Sequence, residues 1–360
     1  MSAHIGGKRV ADKIRVVVVD DSLFVRTILS DMLSSDPEIE VVGAAKDGLD
    51  AIELVRREKP NVVTMDLVMP RMDGLQALEK IAKTEPNTSV IMLSAADRAS
   101  ADAIMKSLDL GAFDFVMKPA STSSTDILRL KWEIITKIKL AFKSGGKRIV
   151  EKEEILSLPQ RRAETKVPGK IGPVVAIGAS TGGPVALRYI LGSMPPKFPA
   201  PIVIAQHMPK AFTESFSERL SKMCRISVVE AKEGMVLSPC HAYIAPGEKH
   251  MEVVESNGKL EVRLSEGERL RGGRPSVDLL LSSVADAVGK NAIGVILTGM
   301  GSDGARGIKR IKEVGGKTIA QDEETSLVWS MPHAAIRLGV VDEVLPLKEI
   351  PRAILKGVGG

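Results

Sequence analysis

Short apolar runs alternate with amphipathic helical runs through most of this chain. Residues 14 to 142 read "IRVVVVDD" then "SLFVRTILSDMLSS", "IEVVGAA" then "DAIELVRREK", "NVVTMD" then "GLQALEKIAK", and "SVIMLSA" then "ASADAIMKSLDL". "AFDFVMKP" follows, with a helix near Leu128 to Phe142. Strands that are apolar throughout have two faces to bury, and helices between them supply the cover. The pattern therefore predicts an open parallel sheet with helices on both faces. From Gly172 the alternation resumes. "PVVAIG", "PIVIAQH" and "AIGVILTG" read as buried parallel strands, with helices over Pro184–Leu191, Ala211–Met223, Ser276–Val288 and Ala305–Val314. The run "AYIAPGEKHMEVVESNGKLEVRL" reads as hairpins around the tight-turn signal "SNGK", which would make the second sheet mixed. The expectation is an α/β chain of two domains, 13–142 and 172–360, the second doubly wound and mostly parallel with an antiparallel hairpin excursion.

Between them, residues 143–171 carry eight Lys and Arg against four Glu up to Lys170, with glycine, proline and no clear period. This is a basic linker, and it concentrates much of the net charge of +5. Basicity in a tether with few aromatics does not make a nucleic-acid face, so no nucleic-acid partner is expected. Two cysteines without CxxC spacing exclude a disulfide scaffold and a cysteine-based zinc site. The N-terminus lacks an apolar signal core, and no apolar run is long enough to cross a bilayer. A cytoplasmic protein without membrane insertion is expected.

In open parallel sheets, ligands bind outside the carboxyl ends of the strands. In the first domain those ends carry Asp20 and Asp21, Asp66, Ser94 and Lys118. Three carboxylates in one crevice repel unless a cation neutralises them, and a hard ion such as Mg²⁺ suits oxygen donors. A lysine and a hydroxyl on the rim suit a phosphoryl group. Any one of these residues could be a cap or a loop polar. The set at successive strand ends argues for a site.

The motifs "VVVVDDS", "TMDLVMPRMDGL" and "FDFVMKP" resemble the receiver domain of two-component response regulators, a flavodoxin-like five-stranded parallel fold. The resemblance implies that Asp66 accepts phosphate from a histidine kinase. Asp21, Asp66 and the carbonyl of Val68 would bind Mg²⁺ directly, with Asp20 assisting through water. Ser94 and Lys118 would contact the phosphoryl group, and Phe115 would be the family's rotating aromatic.

In the second domain, Gly178-Ala-Ser180-Thr-Gly182 fits G-x-S-x-G, a strand-to-helix turn that can expose a serine nucleophile. A serine there is equally an N-cap. A nucleophile needs a base, and the histidines are His4, His207, His241, His250 and His333. His4 is in the tail, His333 is at a helix start, and His241 and His250 fall in the hairpin region, where exposure is expected. His207 ends the strand after that of Ser180. Asp303 ends another strand and could orient the base, although Ser302 and Asp303 also suit a helix N-cap. A rival uses the same stretch: Gly299-Met-Gly301-Ser-Asp-Gly304 fits G-x-G-x-x-G, with Asp322 at about the ~20-residue spacing of a dinucleotide fingerprint. That motif falls late in the domain and leaves Ser180 and His207 without a role. A third option, a DNA-binding regulator, would need a compact helical output domain, which the strand-rich second half disfavours.

Together "GASTGGP", "AQHMP", "YIAPG", "RPSVDLL" and "TGMGSDGA" resemble the catalytic domain of the chemotaxis protein-glutamate methylesterase (CheB) family. The resemblance implies hydrolysis of γ-glutamyl methyl esters on chemoreceptors with release of methanol, and deamidation of certain receptor glutamines. Ser180 would be the nucleophile, His207 the base, Asp303 its orienter, and the Met300 N–H an oxyanion donor. It also implies a monomer, with methylated chemoreceptors and a chemotaxis histidine kinase as partners. Mg²⁺ would serve the receiver alone, and ester hydrolysis would need no cofactor.

Overall fold

The structure is a computed structural model that describes residues 13–95, 97–119, 123–145, 172–268 and 273–359. All but the first three residues of the basic linker lie outside them. The chain divides into two compact units, the first of residues 1–96 and 110–146 and the second of residues 97–109 and 147–360.

The first unit contains β1 (Ile14–Val19), α1 (Leu23–Ser34), β2 (Ile39–Ala45), α2 (Gly48–Glu58), β3 (Val62–Asp66), α3 (Gly74–Thr84), β4 (Ser89–Ser94), β5 (Asp114–Met117) and α5 (Ser124–Lys143); α4 (Arg98–Asp109) lies between β4 and β5 in the chain. The strands order β2-β1-β3-β4-β5, and every pairing is parallel. β3 and β4 are buried along their whole length, as strands covered on both faces must be. Side-chain caps begin the helices: Ser22 for α1, Asp47 for α2, and Asp73 with Gln76 in a capping box for α3.

The second unit contains β6 (Val174–Ala179), α6 (Gly183–Ser193), β7 (Ile202–Gln206), α7 (Lys210–Met223), β8 (Ser227–Glu230), β9 (His241–Ile244), β10 (His250–Ser256), β11 (Lys259–Ser265) and α8 (Val277–Val288). A 3₁₀ turn at Gly289–Asn291 leads to β12 (Ala292–Ile296), α9 (Ala305–Glu313), β13 (Lys317–Gln321), α10 (Ser330–Ile336), β14 (Glu343–Leu345) and α11 (Ile350–Val358). Seven strands order β14-β13-β12-β6-β7-β9-β8, all parallel. The expected mixed sheet is therefore corrected. β10 and β11 do pair antiparallel, turning at Asn257 and Gly258 with φ of 51° and 74°, but they form a separate two-stranded sheet. The reason is burial. "AYI" is apolar on both faces and joins the parallel sheet as β9, whereas the alternating residues after it bury one face only, beside α8, where Val253 N–H donates to Ser283 Oγ.

β6 is flanked by β7 on one side and β12 on the other, and the chain leaves in both directions from it. That is the topological switch point, and the crevice at its carboxyl end is where such sheets bind ligands. Among the described residues, no helix is long and apolar enough to cross a membrane.

Candidate active site

In the first unit four of the strand-end residues, Asp20, Asp21, Asp66 and Lys118, come together. Asp20 and Asp66 are buried and Asp21 is exposed, and one carboxylate oxygen from each lies within 4.8 Å of the others. Lys118 Nζ stands 2.7 Å from both Asp20 Oδ2 and Asp66 Oδ1. Burial drives the Asp66 carboxyl up from the usual range, and the charge of Asp20 adds to this, against the pull of Lys118 and the Leu67 N–H. Burial alone would lower the Lys118 ammonium, but its two carboxylate partners raise it above its ordinary value. Three carboxylates and one cation leave an excess of negative charge on oxygen donors, which fits a hard divalent ion. Val68, two residues past Asp66, is exposed on the loop after β3. The Ser94 hydroxyl donates to the carbonyl of Ala95 at 3.0 Å, and Phe115 is buried on β5 beneath the Lys137 ammonium.

In the second unit the register of β6 and β7 pairs Ala179 with Gln206, so the next residues on each strand are Ser180 and His207. His207 N–H donates to Ala179 O at 3.0 Å. Gln206, 2% exposed, ties the two turns together: its Nε2 donates to Ser180 O at 2.9 Å and His207 O at 3.1 Å. On the other flank, Ser180 N–H donates to Thr298 O at 3.1 Å, and Thr298 Oγ1 donates to Thr181 O at 3.0 Å. The N-cap reading of Ser180 does not hold. The N-cap of α6 is Gly182, at φ 79° and without a side-chain cap. The serine side chain is left for another use.

His207 Nε2 lies 2.8 Å from Asp303 Oδ2, which leaves Nδ1 as the ring nitrogen without that partner. Asp303 is 3% exposed and is not the cap of its own helix; Gly304 is. Its Oδ2 also accepts from Val277 N–H at 2.8 Å, and its Oδ1 accepts from Asp278 N–H at 2.9 Å and Ser276 Oγ at 3.2 Å. Burial pushes the Asp303 carboxyl up, but the His207 hydrogen bond and charge and these amides outweigh it, so the group sits below its usual range and stays ionised. The candidate base and its candidate orienter are thus joined. Among the described residues the Ser180 hydroxyl makes no hydrogen bond to His207. In the 299–301 loop, Gly299 and Gly301 donate their N–H groups to Val328 O and Ser330 Oγ, while the Met300 N–H has no acceptor among the described residues.

The dinucleotide reading fails on the same contacts. A phosphate would need the amides at the start of α9, and Asp278 Oδ1 already holds those of Gly304, Arg306 and Gly307. Asp322 closes a turn onto Thr325, accepting its N–H at 2.9 Å and its hydroxyl at 2.6 Å. His250 was expected to be exposed and is 2% exposed, because its Nδ1 accepts the Ser276 N–H and its Nε2 meets Glu268 O. Sequence reasoning missed Gln206, Ser276 and Asp278 as parts of the site. The signals were the motifs themselves: "AQHMP" holds Gln206, and "RPSVDLL" has a serine followed by an acidic first turn.

The family model for CheB methylesterase matches residues 175–354, and that for the response regulator receiver domain matches residues 16–127. A protein-glutamate methylesterase/protein-glutamine glutaminase of Pyrococcus horikoshii is 47% identical over 96% of this chain and 94% of its own. One of the same name from Pectobacterium atrosepticum is 43% identical over 95% and 96%. The chain belongs to the CheB methylesterase family. Among solved structures, the Thermotoga maritima CheB methylesterase catalytic domain matches with a TM-score of 0.51 and 42% identity, covering 52% of this chain and 98% of that one. Both of these relatives thus align with this chain over nearly its full length.

Proposed function

We propose that this chain is a phosphorylation-gated protein-glutamate methylesterase that serves adaptation in chemotaxis. Its substrates are γ-glutamyl methyl esters on chemoreceptors, and it also deamidates receptor glutamines. The observation that carries the reading is the ionised Asp303 bonded to His207 on the strand end beside Ser180. Ser180 Oγ attacks the ester carbonyl while the free nitrogen of His207 takes its proton. The Met300 N–H holds the tetrahedral oxyanion, a contribution of about 10²–10³ in rate for one such donor. His207 returns the proton to the departing methanol. Water, deprotonated by the same histidine, then hydrolyses the acyl-enzyme to glutamate and free serine. With a glutamine substrate the leaving group is ammonia.

In the receiver, Asp66 accepts phosphate from a chemotaxis histidine kinase. Asp20, Asp21, Asp66 and the Val68 carbonyl would hold Mg²⁺, which when bound supplies the positive charge that phosphoryl transfer needs. Lys118 and Ser94 contact the phosphoryl oxygens, and the modification biases the chain toward an active arrangement. The protein acts as a cytoplasmic monomer. The test is methanol release from methylated receptor membranes with and without a phosphodonor. Release that depends on Ser180 and rises with phosphodonor is expected; no release in either condition overturns the reading.

A further inference from the structure

The loop from Gly299 to Gly304 carries two groups on which the proposed hydrolysis depends, the Met300 N–H and the Asp303 carboxylate. Whatever fixes that loop fixes both. Asp303 reaches across to the start of α8 and accepts from Ser276, Val277 and Asp278. Asp278, in the first turn of α8, reaches back: its Oδ1 accepts the N–H groups of Gly304 at 2.9 Å, Arg306 at 2.8 Å and Gly307 at 2.9 Å. Two helix N-termini therefore face each other, and each supplies the carboxylate that the other's unpaired amides need. The approach depends on absent side chains. A Cβ on Gly307 would stand 2.5 Å from Leu281 Cβ and 2.9 Å from Asp278 O, and one on Gly304 would stand 2.7 Å from Val277 Cγ1. Larger residues would push α9 off α8 and carry its amides out of reach. Asp278 touches neither His207 nor Ser180, yet it grips the residue next to Asp303.

We propose that Asp278 is a positioning residue for ester hydrolysis, holding the 299–304 loop so that Asp303 meets His207 and the Met300 N–H faces the oxyanion. This rests on the esterase reading above. It also explains why a stretch with the G-x-G-x-x-G pattern has no phosphate role: the anion at its helix is built in. A cap that served stability alone would lower the melting temperature and leave turnover per folded molecule unchanged. A positioning residue lowers kcat and leaves KM nearly alone, because substrate binding does not use it.

The experiment uses the full chain with Asp278→Ala and Asp278→Asn. Methanol release from methylated receptor membranes is measured as kcat and KM and normalised to folded protein by circular dichroism. Asp278→Ala is expected to lose about 10- to 100-fold in kcat, roughly 1.4–2.7 kcal/mol of transition-state stabilisation, with KM within about twofold. Asp278→Asn keeps an acceptor oxygen and is expected to recover most of that loss. Sodium formate, which replaces the missing carboxylate, is expected to raise the rate of Asp278→Ala in a saturable way and not that of the wild type. If Asp278→Ala does not fold, Asp278→Ser, with a weaker acceptor, carries the comparison. Turnover per folded Asp278→Ala molecule within twofold of wild type overturns the proposal. So does a loss that neither Asp278→Asn nor formate relieves. A wild type that releases no more methanol than Ser180→Ala would instead sink the esterase reading, an outcome that can be told apart from either of these.

Discussion

The side-chain amide of Gln206 donates to the backbone carbonyl of Ser180 at 2.9 Å, and its second hydrogen goes to the carbonyl of His207 at 3.1 Å. One buried side chain therefore spaces the proposed nucleophile from its base. Gln206→Leu keeps the size and removes both donors; Ser180 O keeps the Gly183 N–H at 2.7 Å, but His207 O loses its partner among the described residues, at about 1–3 kcal/mol where it is buried. The expected result is a melting temperature several degrees lower, since about 1 kcal/mol shifts a domain of this size by roughly 2–4 °C. Folded protein should also turn over about tenfold or more slowly. Steady-state methanol release checks it, and an unchanged kcat would show that Gln206 is only a strand closer.

The triad predicts a graded series. Ser180→Ala removes the proposed nucleophile and is expected to abolish turnover, while leaving the proposed phosphorylation of Asp66 intact. His207→Ala is nearly as severe. Asp303→Ala is milder, because Ser180 and His207 remain, but it strands His207 without a partner and the start of α8 without an acceptor. It should therefore also cost stability, which Ser180→Ala should not. Calorimetry beside the activity assay separates the three. A Ser180→Ala chain with near-normal turnover would end the covalent mechanism.

What the sequence made legible were positions on strands. β1, β3, β4, β6, β7 and β12 are mostly apolar and buried along nearly their whole length, so their ends and the polar residues at or just beyond them could be read directly; Ser180, His207 and the acidic pocket are such residues, while Asp303 lies further along the loop after β12. β8 and β14 escaped notice because they are short edge strands with few buried positions. The Asp278–Asp303 exchange escaped because the two lie 25 residues apart and meet only when α8 and α9 pack. His250 looked exposed because alternation shows which residues share a face but not that a loop will cover them, and here Glu268 does.

The acidic pocket makes a prediction with a definite sign. Asp66 has its folded pKa raised, chiefly by burial and further by Asp20. A carboxyl of this kind binds its proton more tightly when folded, so stability falls as pH rises from about 3.9 through the folded value, and the deficit persists at neutral pH. Asp66→Asn should raise the receiver's melting temperature at pH 7, and the difference should vanish below the usual carboxylate range. Mg²⁺ should raise the wild-type melting temperature by binding the folded state alone, and chelation should reverse it. Differential scanning calorimetry across pH, with Mg²⁺ or with chelator, measures both effects. An Asp66→Asn receiver less stable than wild type at pH 7 would mean that the Lys118 ion pair outweighs burial.

The proposed gate is the remaining test. Ser180, His207 and Asp303 all lie in the second unit and Asp66 in the first, so Asp66 supplies no group to the candidate triad; in the proposed gate the unphosphorylated chain is mostly in a closed form whose site is unavailable. The catalytic domain of the Thermotoga relative was solved as a separate chain, which encourages the same cut here. Removing residues 1 to about 170 should give an esterase faster than the unphosphorylated whole chain. If the closed form is favoured by about 1.4 kcal/mol and is inactive, roughly nine molecules in ten are hidden, and release gives about tenfold activation. Asp66→Ala should hold the whole chain at its basal rate with phosphodonor and Mg²⁺ present. The truncated enzyme should ignore both. Methanol release from the two forms, with and without a small-molecule phosphodonor, decides the matter. A truncated enzyme that folds but runs slower than the unphosphorylated whole chain would make the receiver an activator, and phosphorylation would then have to improve the site and not merely uncover it.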